Sequence, residues 1–112
     1  MAHEVIELKV SESISAGTDV VDTYTPANGT TVRLVSFIGE AAFSSNSVVC
    51  VLWDYAGGGE EIIWCTKGSS KDLHLDEACG TGDGTKKVAI CCKNGEAGDL
   101  IMLGKAQIAV ES

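Results

Sequence analysis

The sequence predicts an all-β fold, an eight-stranded antiparallel sandwich of jelly-roll or Greek-key type. Three observations carry that expectation. Apolar and polar residues alternate along short runs, Gly, Asn, Asp and Ser interrupt the runs at close intervals, and no stretch holds a helical period. The 112 residues read as one domain, 1–112, able to bury roughly two thirds of the surface its unfolded chain exposes.

The elements follow in order. Residues 4–11 set Ile6, Leu8 and Val10 on one face and Glu7, Lys9 and Ser11 on the other, as in a half-buried strand. A loop around Gly17 leads to a strand over 20–25. Pro26-Ala27-Asn28-Gly29 then reads as a tight hairpin turn, because Asn-Gly accepts the positive φ such turns need. A long strand over 30–43 contains Gly39, which marks a bulge or bend. Ser44-Ser45-Asn46 turns the chain into 47–55, and Gly57-Gly58-Gly59 turns it again into 60–67, the strongest hairpin signal present. Over 71–76, Leu73 and Leu75 face inward and Asp72, His74 and Asp76 outward, before a Gly-rich loop at 79–84. Residues 85–94 bury Val88, Ile90 and Cys92 and turn Lys87, Cys91 and Lys93 outward. Asn94-Gly95 and Gly98 lead into 99–111, where Gly104 is expected to switch which residues face the core.

Each sheet of a sandwich keeps one face in the core, so a strand apolar on both faces carries more apolar surface than the domain buries. Residues 47–55 form that strand, with Val48, Cys50 and Leu52 on one face and Val49, Val51, Trp53 and Tyr55 on the other. Leu34, Val35, Phe37 and Ile38 share the excess, as do Leu100, Ile101, Met102 and Leu103. Such a surplus points to contact with another protein or a second copy, and Val5, Phe37, Val49, Val51, Trp53, Tyr55 and Trp64 are the candidate interface. The competing reading is a central strand covered by the domain's own loops.

Sixteen acidic residues against eight basic ones give a net charge of −8, and Lys86-Lys87 is the one basic doublet. That balance repels a phosphate backbone, so no nucleic-acid partner is expected. The first residues carry Glu4, Glu7 and Lys9 without a signal-peptide apolar core, and no later run approaches the ~20 residues of a membrane span. Neither secretion nor membrane association is expected. Cys50, Cys65, Cys79, Cys91 and Cys92 are odd in number and lack C-x-x-C spacing, which reads as five reduced thiols formed in a reducing cytoplasm.

No constellation obliges a chemistry, and neither a catalytic residue, a metal site nor a cofactor is assigned. Cysteine–histidine catalysis needs an imidazole against a thiolate, whereas His3 is terminal and His74 lies on a polar strand face between Asp72 and Asp76. Cys91 and Cys92 point to opposite faces of one strand and cannot share a zinc ion. Asp76, Glu77 and Asp83 surround an oxygen-rich loop but lack EF-hand spacing. Gly57-Gly58-Gly59 joins strands instead of opening a helix, so no phosphate cradle forms. Cupin enzymes share the jelly-roll shape, but their histidine-rich metal motif is not matched by a lone His74. Trp53, Tyr55 and Trp64 define an alternative, an aromatic platform for a sugar ring.

A compact acidic all-β chain beginning at Met1, with free thiols, surplus apolar faces and the ending KNGEAGDLIMLGKAQIAVES, resembles the small β-sandwich decoration, or cement, proteins of tailed-bacteriophage heads. The ending looks like the closing hairpin of small phage jelly rolls. The resemblance implies a non-enzymatic protein on the outer surface of the virion. There it would dock on assembled major capsid protein as a trimer or dimer and reinforce the shell, after assembly in the host cytoplasm. The apolar faces around Phe37, Trp53 and Tyr55 would serve subunit or shell contact, and residues 2–7 would add an edge strand to a neighbour. The alternative is a carbohydrate- or receptor-binding module such as a tail-fibre head domain.

Overall fold

Alternating side chains give each strand one face to bury, and two sheets bury those faces against each other. The computed structural model describes every residue except 1, 2, 42, 43, 45, 68 and 69. Its strands are β1 (His3–Ile14), β2 (Asp19–Tyr24), β3 (Thr31–Glu40), β4 (Val48–Trp53), β5 (Glu61–Lys67), β6 (Ser70–Thr81), β7 (Val88–Lys93) and β8 (Leu100–Glu111). The first sheet runs β1-β8-β3-β6 and the second β2-β7-β4-β5, and all the pairings are antiparallel. Every consecutive pair of strands except β4–β5 crosses from one sheet to the other. That winding is the jelly roll.

The winding corrects two turns. Residues 26–29 do not close a hairpin, because β2 and β3 lie in different sheets. Gly29, at φ +84°, instead turns the chain across the end of the sandwich and donates its N–H to Gly82 O at 2.9 Å. Residues 93–112 likewise carry the chain from β7 over to β8 in the opposite sheet. The hairpin expected around Gly57-Gly58-Gly59 does form, as β4–β5, although its positive φ angles fall on Asp54 and Ala56. The β3–β6 register shifts between Phe37 and Gly39, the irregularity expected there. The far end of the strand expected over 30–43, including Phe43, and Ser45 of the following turn lie outside the described residues.

The core is drawn from both sheets. Leu8, Val10 and Ile14 of β1, Val32, Leu34 and Phe37 of β3, and Met102, Ala106, Ile108 and Val110 of β8 meet Val49, Val51 and Trp53 of β4 and Val88, Ile90 and Cys92 of β7. Burying each of the larger aliphatic side chains contributes about 1.5–3 kcal/mol.

Two glycines set the sheet spacing. A Cβ on Gly80 would stand 2.5 Å from Trp53 Nε1, so the missing side chain of β6 is where the indole of β4 lies. Residues 79–81, expected in a loop, therefore belong to a strand. A Cβ on Gly104 would stand 2.7 Å from Cys92 Sγ and 3.0 Å from Val49 Cγ1. Gly104 does not switch the facing of β8, for Met102, Ala106, Ile108 and Val110 all stay inward. It lets the sheets approach. Gly104→Ala is expected to cost about 1–3 kcal/mol through overpacking, read as a lower denaturation midpoint with an unchanged m-value.

The end of the sandwich at the β3–β4 and β7–β8 connections is tied by polar side chains. Asn94, fully buried, donates Nδ2 to Ile14 O at 2.9 Å and Gly98 O at 2.8 Å. Ser44 Oγ lies 2.7 Å from Ser47 Oγ and 3.0 Å from Glu96 Oε1, while Gly95 N–H donates to Ser47 Oγ at 3.1 Å.

Candidate functional site

The seven residues expected to form an interface do not share a surface. Phe37, Val49, Val51 and Trp53 lie in the core, and Trp64 packs against it. The parity of β4 explains the correction, since Val49, Val51 and Trp53 occupy its inward positions. Tyr55 follows β4 at the start of the turn, half-buried, and its N–H donates to Lys87 O at 3.1 Å. Val5 is exposed, at 53% of its surface. The aromatic platform is corrected with them, because Trp53 is sealed between the sheets over Gly80.

The face of β4 that points away from the core carries Val48, Cys50 and Leu52. Cys50 and Leu52 retain only 8% exposure because neighbouring strands crowd both sides of a central strand. Beside Leu52, Ile62 of β5 is 68% exposed. The same face overturns the expectation of five free thiols. Cys50 and Cys65 are opposite partners in the β4–β5 ladder and form a disulfide, leaving Cys79, Cys91 and Cys92 free. Burial pushes the Cys79 thiol up to about 11 and the Cys92 thiol to about 12, and both are enclosed in the core, away from any incoming reactant.

On the other sheet, β1 is an edge strand twelve residues long whose pairing with β8 has no register shift. Lys9 N–H points away from β8 and is capped by Asp22 Oδ2 at 2.9 Å. By the alternation of an antiparallel ladder, the N–H and C=O groups of Val5 and Glu7 also point outward. An edge of this kind is a template for a further strand. Beside it opens a groove of about 380 Å3 lined by His3, Glu4, Tyr24, Ala27, Thr30 and Val110. The Tyr24 hydroxyl donates to Glu4 Oε1 at 3.3 Å, and burial, then the Glu4 charge, raises its pKa. His3 Nδ1 lies 3.1 Å from Glu111 Oε1, which ties the start of β1 to the end of β8. Residue 2 of the segment expected to add a strand lies outside the described residues.

The outer face of the first sheet mixes polar side chains with exposed Val5 and Ile101. Ser36, Ile38, His74, Lys105 and Gln107 line a cleft of about 100 Å3, and Ser36 Oγ donates to Gln107 Oε1 at 3.0 Å. The acidic residues near 76–84 are committed separately. Asp76 Oδ1 accepts from Arg33 Nε at 2.6 Å, and Asp83 Oδ1 accepts from the Thr85 and Lys86 N–H groups at 2.8 Å each. Those bonds, the Lys86 N–H foremost, hold the Asp83 carboxyl down at about 2.

No protein-family model matches the chain, and no curated protein matches it in sequence. Solved structures do resemble it in shape. A chain in the structure of infectious bursal disease virus, Gx strain, superposes with a TM-score of 0.50 at 11% identity, over 97% of this chain and 32% of that one. This chain thus spans about a third of the viral chain's length. TmCBM61, solved with beta-1,4-galactotriose, gives 0.45 at 16% identity over 96% and 70% of the two chains. Aeromonas hydrophila PliG, a periplasmic inhibitor of g-type lysozyme, gives 0.38 at 14% identity over 94% and 84%. At these identities the likeness is one of fold.

Proposed function

We propose that this chain is a non-enzymatic structural protein of a virion, docking on an assembled capsid and stabilising it as a head-decoration protein does. The observation that carries the reading is the regular β1 edge, with Val5 and Glu7 presenting outward backbone groups beside the 380 Å3 groove. A strand added there would gain main-chain hydrogen bonds, and the groove would accept one of its side chains for specificity. Likeness of this chain to about a third of a chain of a virus structure supports the fold that such a role would use. A protein that binds only the assembled shell stabilises that shell by mass action. The partners are the major capsid protein and further copies of this chain as a dimer or trimer, and the net charge of −8 keeps many copies soluble before assembly.

Val5→Pro tests the reading. Proline removes an outward N–H without breaking the β1–β8 ladder, so melting stays within a few degrees while co-sedimentation with assembled capsids falls at least tenfold. Unchanged co-sedimentation of the variant, or failure of the native protein to bind any assembled shell of its virus, overturns the proposal. The carbohydrate- or receptor-binding alternative rests on the polar cleft at Ser36, His74 and Gln107. It would be favoured by glycan binding that Gln107→Ala abolishes.

A further inference from the structure

We propose that Cys91 and the Cys50–Cys65 disulfide form an intramolecular thiol–disulfide exchange site on the outer face of the second sheet. The argument begins with register. Cys91 of β7 stands opposite Cys50 of β4, and Cys50 stands opposite Cys65 of β5, so the three residues form one row across adjacent strands. Directly opposed residues in antiparallel strands have Cα atoms ~4.5–5.5 Å apart, within or close to the span a disulfide bridges. Either neighbour of Cys50 is therefore in reach.

Exchange at sulfur needs the incoming thiolate and the leaving sulfur on opposite sides of the sulfur attacked. The strand order β7-β4-β5 sets Cys91 and Cys65 on either side of Cys50, and Cys91 Sγ reaches the line of attack by leaving Asp19 on β2. Cys91 first loses its proton to solvent. Its thiolate attacks Cys50 Sγ, the Cys50–Cys91 bond forms as the Cys50–Cys65 bond breaks, and Cys65 leaves as a thiolate that takes a proton from solvent. One disulfide and one thiol stand on each side, so no oxidant is consumed. The result moves the free thiol from half-buried Cys91 in mid-sheet to exposed Cys65 on the edge strand. Cys92, inside the core, takes no part.

Asp19 of β2 restrains the attacking thiol. Cys91 Sγ donates to Asp19 Oδ2 at 3.6 Å. Burial, then the Asp19 charge and hydrogen bond, push the Cys91 thiol up to about 11; Glu60 from the β4–β5 turn adds to this and Lys93 opposes it. Lys67 and Val48 occupy the adjoining row with Asp19 and Lys93. The thiolate fraction, and with it the exchange rate, should rise about tenfold per pH unit until pH nears 11. Asp19→Asn should shift that profile to lower pH and raise the rate near neutrality roughly threefold or more.

Tryptic mapping reads the exchange directly. Cleavage after Arg33, Lys67, Lys87 and Lys93 leaves Cys50 and Cys65 in one peptide, 34–67, and Cys91 in another, 88–93. The intact oxidised protein would be held at pH 7 to 10, quenched in acid, alkylated and digested. The proposal expects a cross-peptide 34–67/88–93 disulfide, assigned to Cys91 by fragmentation, with Cys65 newly alkylated to the same extent. Cys91→Ser abolishes it, and Cys65→Ser treated with oxidised glutathione forms Cys50–Cys91. A native protein whose only disulfide stays within 34–67 at every pH, with Cys65 never alkylated, overturns the proposal. So does a Cys65→Ser chain of native circular dichroism that fails to join Cys50 to Cys91.

Discussion

Replacing Phe37 with alanine should destabilise the fold by about 3–5 kcal/mol, because a fully buried ring at the centre of the first sheet leaves a cavity that flanking strands cannot close. The ring lies inside the Cβ envelope of Gly39, at 3.1 Å, and shares the core with Leu34, Val49 and Met102. At about 4–8 °C per kcal/mol for a domain of this size, the loss should appear as a fall of well over 10 °C in Tm. The variant also separates core from contact. A core residue lowers stability wherever the protein is studied. A docking residue would leave the melting of the isolated protein unchanged and weaken only association, and that outcome would return Phe37 to the interface.

Asn94→Ala should cost about 2–4 kcal/mol. Its Nδ2 serves the carbonyls of Ile14 and Gly98, and its Oδ1 accepts from Glu96 N–H at 2.8 Å. Gly98 and Glu96 can turn to water, but Ile14 is 1% exposed, and its orphaned carbonyl bears most of the penalty of about 1–3 kcal/mol for an unpaired buried group. Asn94→Asp should be worse than alanine, since a carboxylate offers no donor and sets negative charge against two carbonyl oxygens. Hydrogen exchange checks the mechanism. Faster exchange should centre on the end of β1 and on residues 95–99, with the β4–β7 ladder little changed. Uniform acceleration across the chain would instead mean a global loss with no local anchor.

The strands were legible because period-two alternation is a local property. Leu8 and Val10 against Lys9 and Ser11, or Ile90 and Cys92 against Cys91, declare their faces without reference to any other strand. The Asn28-Gly29 turn was not legible in the same way, since a Gly at positive φ serves a hairpin and a sheet-to-sheet crossing equally well. Gly104 misled for a related reason. A glycine in a strand marks either a change of facing or a close approach, and only the position of Cys92 in the opposite sheet distinguishes the two. The apolar excess of residues 47–55 was real, yet its strongest side chains, Val49, Val51 and Trp53, are the inward ones. One signal for the disulfide did lie in the sequence. Cys50 and Cys65 stand symmetrically about Gly57-Gly58, as partners across a hairpin centred there must.

The sequence by itself determined the eight β-runs, the facing of those that alternate cleanly, the β4–β5 hairpin and the acidic surface, all consequences of neighbours within a few positions along the chain. Tertiary structure alone decided which strands pair, and so the jelly-roll winding, the burial of Phe37 and Trp53, the open edge at Val5 and the row of Cys91, Cys50 and Cys65. Those features join residues up to about a hundred positions apart, as His3 and Glu111 are. Pairing at such separations is chosen by which faces and edges the whole chain can satisfy at once, which no local pattern records.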